Sequence, residues 1–594
     1  MVQSCGESSG RLPVVLLWHM HQPQYRDALT GEYVLPWTVL HALKDYSDMA
    51  AHLEHNSAAR AVVNFTPVLL EQLEDYSQRV AQYLHTGRAL PDRVLALLTD
   101  AARPVQSVQR AELIRACLRA QRVRMIERFE PYRELADMAA QFLVEDRSAW
   151  ASEQFITDLA CWYHLAWLGE SIRLTDGRVL SLMERRRGFT AADQRVLLEV
   201  INDVLAGLVP RWRRLAEQGR VELTTTPYAH PILPLLQDFG AAREASPNTA
   251  LPMHPRYPGG ADRAAWQMAE ALRVFTATFG FRPQGCWPSE GAISRATLAA
   301  IDQSGFRWTA SSANVLRASH SAVNRDAAHG AEADDGAHRR ATLSNRATIF
   351  NQAYQVPGQQ LACLFRHDSL SDAIGFEYAS WHGDDAAANF ANELALLADL
   401  YADEPKRVVL IALDGENAWE HFPQNGWHFL RALYATLASH PKLALTTPSQ
   451  LLDLGLPLHP LPPIVAGSWV HGTLATWMGD PQKNAAWDLL CEAKGAFDQV
   501  VVEGSLSHAD VAAAERQLAL CESSDWFWWF GDYNPADAVS SFDQLYRRQL
   551  QTLYRLLALE PPAKLAAPIA IGHGMPEGGG VMQRGASRAL EAPA

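Results

Sequence analysis

Val408–Phe422, VVLIALDGENAWEHF, is the stretch whose reading decides the fold. Val408-Val409-Leu410-Ile411-Ala412-Leu413 is an unbroken apolar run, as expected of a strand buried on both faces. It runs directly into Asp414-Gly415-Glu416-Asn417, two carboxylates and an amide on a turn. In barrels of alternating strands and helices, that strand end is where chemistry sits. The plain alternative is that Asp414 caps the next helix and Gly415 only makes the turn. A second stretch, Gly285-Cys286-Trp287-Pro288-Ser289-Glu290, has the same form: a short strand that ends on a carboxylate. Two carboxylates at two strand ends suggest glycoside chemistry, with one as nucleophile or base and the other as acid.

Outward from these two, other strands fall into the same pattern. Pro13–Trp18 is followed at once by His19-Met20-His21-Gln22-Pro23, and Ala61–Phe65 by Thr66-Pro67. Val221–Thr225 leads to Pro227-Tyr228-Ala229-His230-Pro231. Phe306–Ala310 and Leu361–Arg366 complete a set of seven. Helical periodicity lies between them, notably over Ala261–Phe279, which Gly280 stops. Strands alternating with helices predict parallel βαβ units. Seven is one fewer than the common eight, so the expected fold is α/β: an incomplete (β/α)7 barrel over about 12–450. A helical insertion is expected over about 90–190, and a flexible insert over about 319–346, which is poor in large apolar residues. Leu454–Pro463 reads as a proline-rich linker to a mostly α-helical domain at about 464–558 that completes the cleft, with a disordered tail over 561–594.

Composition narrows the partners. The chain has 594 residues, 48% apolar and 20% charged, ordinary for a globular protein with a large core. A net charge of −14 offers no basic field for nucleic acid and suits a neutral ligand. The 18 tryptophans fill a core or present flat faces to sugar rings. Seven cysteines without a CxxC pair argue against a disulfide framework and a cysteine zinc site, and for a reducing, cytoplasmic setting. The first twenty residues lack a basic leader, so no signal peptide is read, and no apolar run has the length of a membrane span.

Several polar residues have more than one reading. His19 and His21 lie two apart at the first strand end, so alternation puts them on one side. They bind a metal, hydrogen-bond sugar hydroxyls, or are satisfied core residues; His230, His254, His367 and Asp414 are the further candidates for a metal site. Glu222 is a carboxylate inside an apolar strand, either partnered at the barrel mouth or solvated outside. Asp368 and Asp372 bind substrate, support Arg366 or start a helix. Asp525-Trp526-Phe527-Trp528-Trp529-Phe530-Gly531-Asp532 packs between helices or walls a sugar cleft.

With these motifs in order, the chain resembles glycoside hydrolase family 57, in particular its amylopullulanase-like and α-amylase-like branch. The resemblance rests on HMHQP, GRVELTTTPYAHPILPLL, GCWPSE, LDGENAWEHF and SDWFWW, with LFRHDSLSDAIGF and GSWVHGTLATWMG, and spans roughly Leu12 to Leu557. It implies a (β/α)7 barrel, a helical domain at the cleft, and retaining chemistry on α-glucans with no required metal or cofactor. It implies Glu290 as nucleophile and Asp414 as acid/base, with His19, His21, Glu222, Trp287, Glu416, Asp525 and Trp528 at substrate-binding and supporting positions. Arg220-Val221 departs from the family's usual Gln and aliphatic residue, and the 319–346 insert is not part of the family core. The expected function is hydrolysis of α-1,4 and α-1,6 links in glycogen, starch or maltodextrin. The alternatives are a 4-α-glucanotransferase or branching-type transglycosylase, a zinc-dependent α-mannosidase-like hydrolase, and a glucan-binding protein without catalysis.

Overall fold

The computed structural model describes residues 10–99, 107–328, 349–404 and 406–574. Seven parallel strands form its centre: β1 Leu12–Met20, β2 Ala61–Phe65, β3 Val221–Thr225, β4 Gly285–Cys286, β5 Trp308–Ser312, β6 Ala362–Arg366 and β7 Val409–Asp414. Each pairs with the next, β7 pairs with β1, and β6 meets β7 at Arg366↔Leu410, so the ring closes as a (β/α)7 barrel. Three short strands lie outside the ring. Leu443–Leu445 runs beside β1, Ala353–Gln355 pairs antiparallel with β6, and Leu458–Pro460 extends that edge. The expected linker at Leu454–Pro463 is thus partly tied to the sheet.

Side-chain alternation along the strands sorts the core into two parts. Val14, Leu16, Trp18 and Met20 of β1 point outward and join the large core under the surrounding helices. Val15 and Leu17 point inward and pack with Val62, Trp287, Trp308, Ala310, Leu364, Leu410 and Ala412 as the barrel filling. One step further along the same inward rows the residues become polar. Register places His19 beside Asn64 on β2 and beside Asp414 on β7, and Asn64 beside Thr224 on β3. The two-residue period that buries Leu17 therefore delivers His19 and Asp414 to the barrel mouth.

β1 runs two residues past its expected end, to Met20, and two further strands depart from the sequence expectation. β5 begins two residues late, because Gly305 turns the chain at φ +77° and the Arg307 N–H is taken by the Gln284 carbonyl. β4 is only two residues long, and Gly285 is required there: a Cβ would lie 2.1 Å from the Trp308 ring that fills the barrel.

The helical insertion lies between β2 and β3 and ends in the 27-residue helix Ala191–Glu217, opened by a capping box between Thr190 and Asp193. The C-terminal helices are Pro481–Glu503, His508–Cys521, Ser524–Trp529 and Ala536–Leu556. Residues 561–574, expected to be disordered, have a defined path: the Asp543 carboxylate accepts from the Ile569 and Ala570 N–H groups. Residues 575–594 lie outside the described residues. In the 319–346 insert, the helix Ala313–Ala328 covers the start, and 329–346 lie outside the described residues. The six described cysteines are free and buried. No described helix is long and apolar enough to cross a membrane.

Candidate active site

A cleft of about 420 Å³ opens over the barrel mouth. Glu290, Asp414, Glu416, His19, His21, Asp525 and Trp528 all line it. Residues more than 500 positions apart in sequence meet there.

Asp414 is the last residue of β7, directed inward by register. Its Oδ2 accepts from the Asn417 amide at 2.9 Å. The turn that follows is tight: the Gly415 N–H donates to the His19 carbonyl at 2.7 Å, and a Cβ on Gly415 would lie 2.3 Å from Met20 Sδ. Glu290 is held differently. Its backbone sits in the left-handed region at φ 58°, ψ 23°, a conformation costing a non-glycine residue about 1–3 kcal/mol and one that collects at functional sites. Its Oε2 accepts from the Trp469 indole N–H at 2.8 Å, and its carbonyl accepts from the Trp469 backbone N–H at 3.0 Å.

Burial dominates the titration of this centre. It pushes the Glu290 carboxyl up to about 8, with the charge of Asp414 adding to the effect and the Trp469 N–H opposing it. Burial also raises Asp414, while the Asn417 amide and the neighbouring His21 and Arg366 side chains hold it down. Burial thus favours the protonated form of both carboxyls. Glu416 is raised well above the ordinary range by burial and by Asp414. Its Oε1 accepts from the His21 N–H at 3.0 Å, whereas Oε2 is buried with no hydrogen-bond partner. A neutral carboxyl so placed has an O–H to offer to a ligand in the cleft.

Three imidazoles stack beside these carboxyls, with His230 Nδ1 3.9 Å from Glu290 Oε1. His19 Nδ1–H donates to Asn64 Oδ1 at 2.7 Å, leaving Nε2 to accept from His230 Nε2 at 3.1 Å. His230 Nδ1 then accepts from the Ser524 hydroxyl at 2.8 Å. Burial lowers His19 to about 3 and lowers His230 strongly, so both stay neutral. His21 Nε2–H donates to the Asp525 carboxylate at 2.9 Å and so ties the barrel to the helical domain.

Nitrogen atoms of these three histidines lie within 4.8 Å of one another, close enough to ask whether they hold an ion. The rings argue against it. His21 and His230 stack at 3.9 Å between centroids with 24° between planes. Each lone pair lies in its ring plane, so stacked rings send lone pairs along separate, nearly parallel planes. Metal–nitrogen bonds of about 2.0–2.1 Å must instead converge on one point. The arrangement fits a wall of imidazoles bonded to one another and to the protein. Of the other sequence candidates for a metal site, Asp414 lines the same cleft beside His19, whereas His254 pairs with Asp488 and His367 caps the helix at Leu370.

Glu222 and Trp287 require correction. Both were expected at substrate, and neither lines the cleft. Glu222 lies two residues below the mouth on β3, where it accepts from the Trp308 indole N–H at 2.7 Å and from the Ser449 hydroxyl and N–H. Its alternation is right but its height is wrong: the mouth position on that strand belongs to Thr224, level with Asn64. Trp287 is fully buried in the barrel filling and meets the Trp469 ring edge-on at 5.2 Å, so it props a wall residue. Asp368 and Asp372 resolve as supports, pairing with Arg366 at 3.0 and 2.7 Å.

The aromatic run divides by helical face. Trp526 and Phe527 are buried, Phe527 stacking on Trp487 at 4.1 Å, while Trp528 and Trp529 turn to the cleft. Sequence reasoning missed Trp37 and His41, in a stretch that carries no motif of its own, and Trp167, in the helical insertion; all three line the cleft. Trp469 is a further cleft residue that carries no site assignment from the sequence, although it lies in the GSWVHGTLATWMG stretch of the resemblance.

A sequence model of the family described as glycosyl hydrolase family 57 matches residues 15–460, ending short of Trp469 and the C-terminal helices. Among solved structures, the chain is similar to a GH57 branching enzyme from the hyperthermophilic archaeon Thermococcus kodakaraensis, at 15% identity and TM-score 0.56 over 93% of both chains. It is similar to a GH57-type branching enzyme from Pyrococcus horikoshii, at 16% identity and TM-score 0.51 over 94% of this chain and 99% of that one. It is also similar to an alpha-amylase from Thermotoga maritima, at 13% identity and TM-score 0.52 over 92% and 94%. At such identities the likeness is one of fold.

Proposed function

We propose, on the premise that this chain belongs to glycosyl hydrolase family 57, that it cleaves α-glucans with retention of configuration through a covalent glycosyl-enzyme. The observation that carries this is the pairing of Glu290 and Asp414 on one aromatic-walled cleft, each delivered by a different strand end. Glu290 attacks the anomeric carbon while Asp414 gives its proton to the departing glycosidic oxygen. Asp414 then takes a proton from the incoming water, which displaces Glu290 and regenerates both groups. The first step needs a proton on Asp414 and the charge on Glu290; burial opposes that charge, and the Trp469 N–H favours it. A carboxyl separation of about 5–5.5 Å in the productive complex belongs to this mechanism, against about 6.5–9.5 Å for inversion.

Around that pair, Glu416 hydrogen-bonds sugar hydroxyls, Trp528 gives a flat face to a pyranose ring, and His19 and His21, whose ring nitrogens are bonded within the protein, shape the wall that the sugar meets. Asp525 acts by fixing His21. Starch, glycogen and maltodextrin are the substrate class, with α-1,4 links cleaved and α-1,6 links as a second target. Transfer to a sugar hydroxyl is the nearest variant, because the same covalent intermediate accepts either nucleophile. Two solved structures of this fold are described as branching enzymes.

Incubation with maltoheptaose tests the proposal. Shorter oligomers released first as the α-anomer, read by proton NMR, are expected for hydrolysis; longer or branched oligomers identify transfer. First release of the β-anomer, or an unchanged oligomer, refutes it.

A further inference from the structure

Glu290 is the less securely held of the two carboxylates by its own strand, and its support comes from far along the chain. Residues 467–470 are stitched to the segment after β4: Ile293 and Gly467 exchange backbone hydrogen bonds at 2.9 and 3.1 Å, and Trp469 N–H reaches the Glu290 carbonyl. The loop is stiff. Ser468 Oγ accepts from the Val470 N–H at 3.1 Å and donates to the Thr473 carbonyl, and a Cβ on Gly467 would lie 2.3 Å from the Gly472 carbonyl oxygen. The Trp469 indole is thereby fixed with its N–H on Glu290 Oε2 at 2.8 Å. Behind the indole lies Arg366, its guanidinium carbon 5.6 Å from the ring centroid. That guanidinium is itself immobilised by the Ala412 carbonyl, Asp368 and Asp372.

We propose that Trp469 and Arg366 are positioning residues for the reaction: the indole N–H aims the Glu290 carboxylate at the reacting carbon, and Arg366 acts through the ring that it supports. This rests on the reading of Glu290 as nucleophile. The chemistry is direct. A carboxylate that accepts one fixed N–H on Oε2 has Oε1 left for attack and cannot swing about its terminal bond. A cation against an indole face polarises the ring and strengthens its N–H as a donor. Hydrogen bonding to the ionised form also favours that form over the acid.

Trp469→Phe keeps the ring and removes the donor. On a maltooligosaccharide substrate, kcat is expected to fall by about 10- to 100-fold, the worth of one hydrogen bond to a charged group. KM should stay within about threefold, and the acid limb of the kcat/KM profile should move to higher pH. A raised KM with unchanged kcat would make Trp469 a sugar platform only and overturn the inference, as would unchanged kinetics or a kcat loss with an unmoved acid limb. Arg366→Lys keeps the charge beside Asp368 and Asp372 but loses the planar face; a smaller kcat loss with the same displacement of the acid limb is expected, and wild-type kinetics remove Arg366 from the scheme. Should circular dichroism show either variant unfolded, Trp469→Tyr and Asp372→Asn are read in their place by the same criteria. Glu290→Gln is measured in parallel. If it retains turnover, the nucleophile assignment and this inference fall together; if it is inactive while Trp469→Phe behaves as wild type, only this inference falls.

Discussion

The strand ends of β7 and β4 carry one carboxylate each and solve the same task by different means. β7 is six residues long and regular, and Asp414 is simply its next inward position, helped by Asn417 three residues on. β4 is two residues long, and Glu290 stands four residues past it on a left-handed backbone, held by an indole 179 positions away. A regular strand places its terminal side chain through local hydrogen bonds and register. A strained turn persists only when its surroundings over-determine it. Asp414 should therefore tolerate change in distant loops, and Glu290 should not.

The sharpest way to break this comparison is to remove each carboxylate. Glu290→Gln should abolish turnover of every glucan, whatever the leaving group. Asp414→Asn should slow natural glucans by about 10²–10⁴-fold, the usual worth of a general acid, yet spare the first step on an aryl glycoside whose leaving group needs no proton. Equal losses of Asp414→Asn on both substrates would dissolve the division of labour.

The link between barrel and helical domain comes next in size. His21→Ala and Asp525→Ala each remove a hydrogen bond of about 1.5–3 kcal/mol between partly buried partners, as large as any expected for a bond to a charged group. Each should lower kcat/KM by about ten- to a hundredfold, and a double variant no worse than either single one would confirm that they act as a pair.

The strained and buried Glu290 also predicts a gain in stability on its removal. Its carboxyl is raised to about 8 in the folded chain from an ordinary 4.5. A raised acid contributes stability that is fully present below the unfolded value and lost as pH climbs through the folded one. Glu290→Gln does not titrate, so its melting temperature should exceed wild type by a margin that widens between about pH 5 and pH 8. At pH 8.5 the difference should be on the order of a few kcal/mol. A margin that narrows with rising pH would contradict the burial of this charge.

The smallest effect tests a corrected assignment. Glu222→Gln leaves the cleft untouched and weakens only the bonds to Trp308 and Ser449. A stability loss of about 1–3 kcal/mol with KM within experimental scatter is expected; a clear rise in KM would return Glu222 to the substrate.

Much of the fold was legible because its signals are local. Apolar runs ended by polar clusters recur at β1, β2, β3, β6 and β7, and the ring of strands follows from them. β5 was displaced by two residues because its start depends on Gln284 taking the Arg307 N–H, a partner in another turn. The same limit explains the site. His19, His21, Asp414 and Glu416 could be found because they sit at or just past the ends of β1 and β7, whereas His41 and Trp167 sit on helical segments whose cleft-facing side only packing selects.

What the sequence determined alone was the inward row of each strand: a period of two makes Leu17 and His19, or Ala412 and Asp414, share a side before any neighbour is known. What only the tertiary structure decided was height and support. Glu222 shares the inward row of Thr224, yet the stagger between strands sets it below the mouth, where Trp308 and Ser449 take its oxygens. Trp469 holds Glu290 because residues 467–470 pair with the turn after β4, a contact that no periodicity in either segment encodes. Local patterns carry direction along one element; the level at which two elements meet depends on the shear of the whole barrel and on which distant loop closes over it.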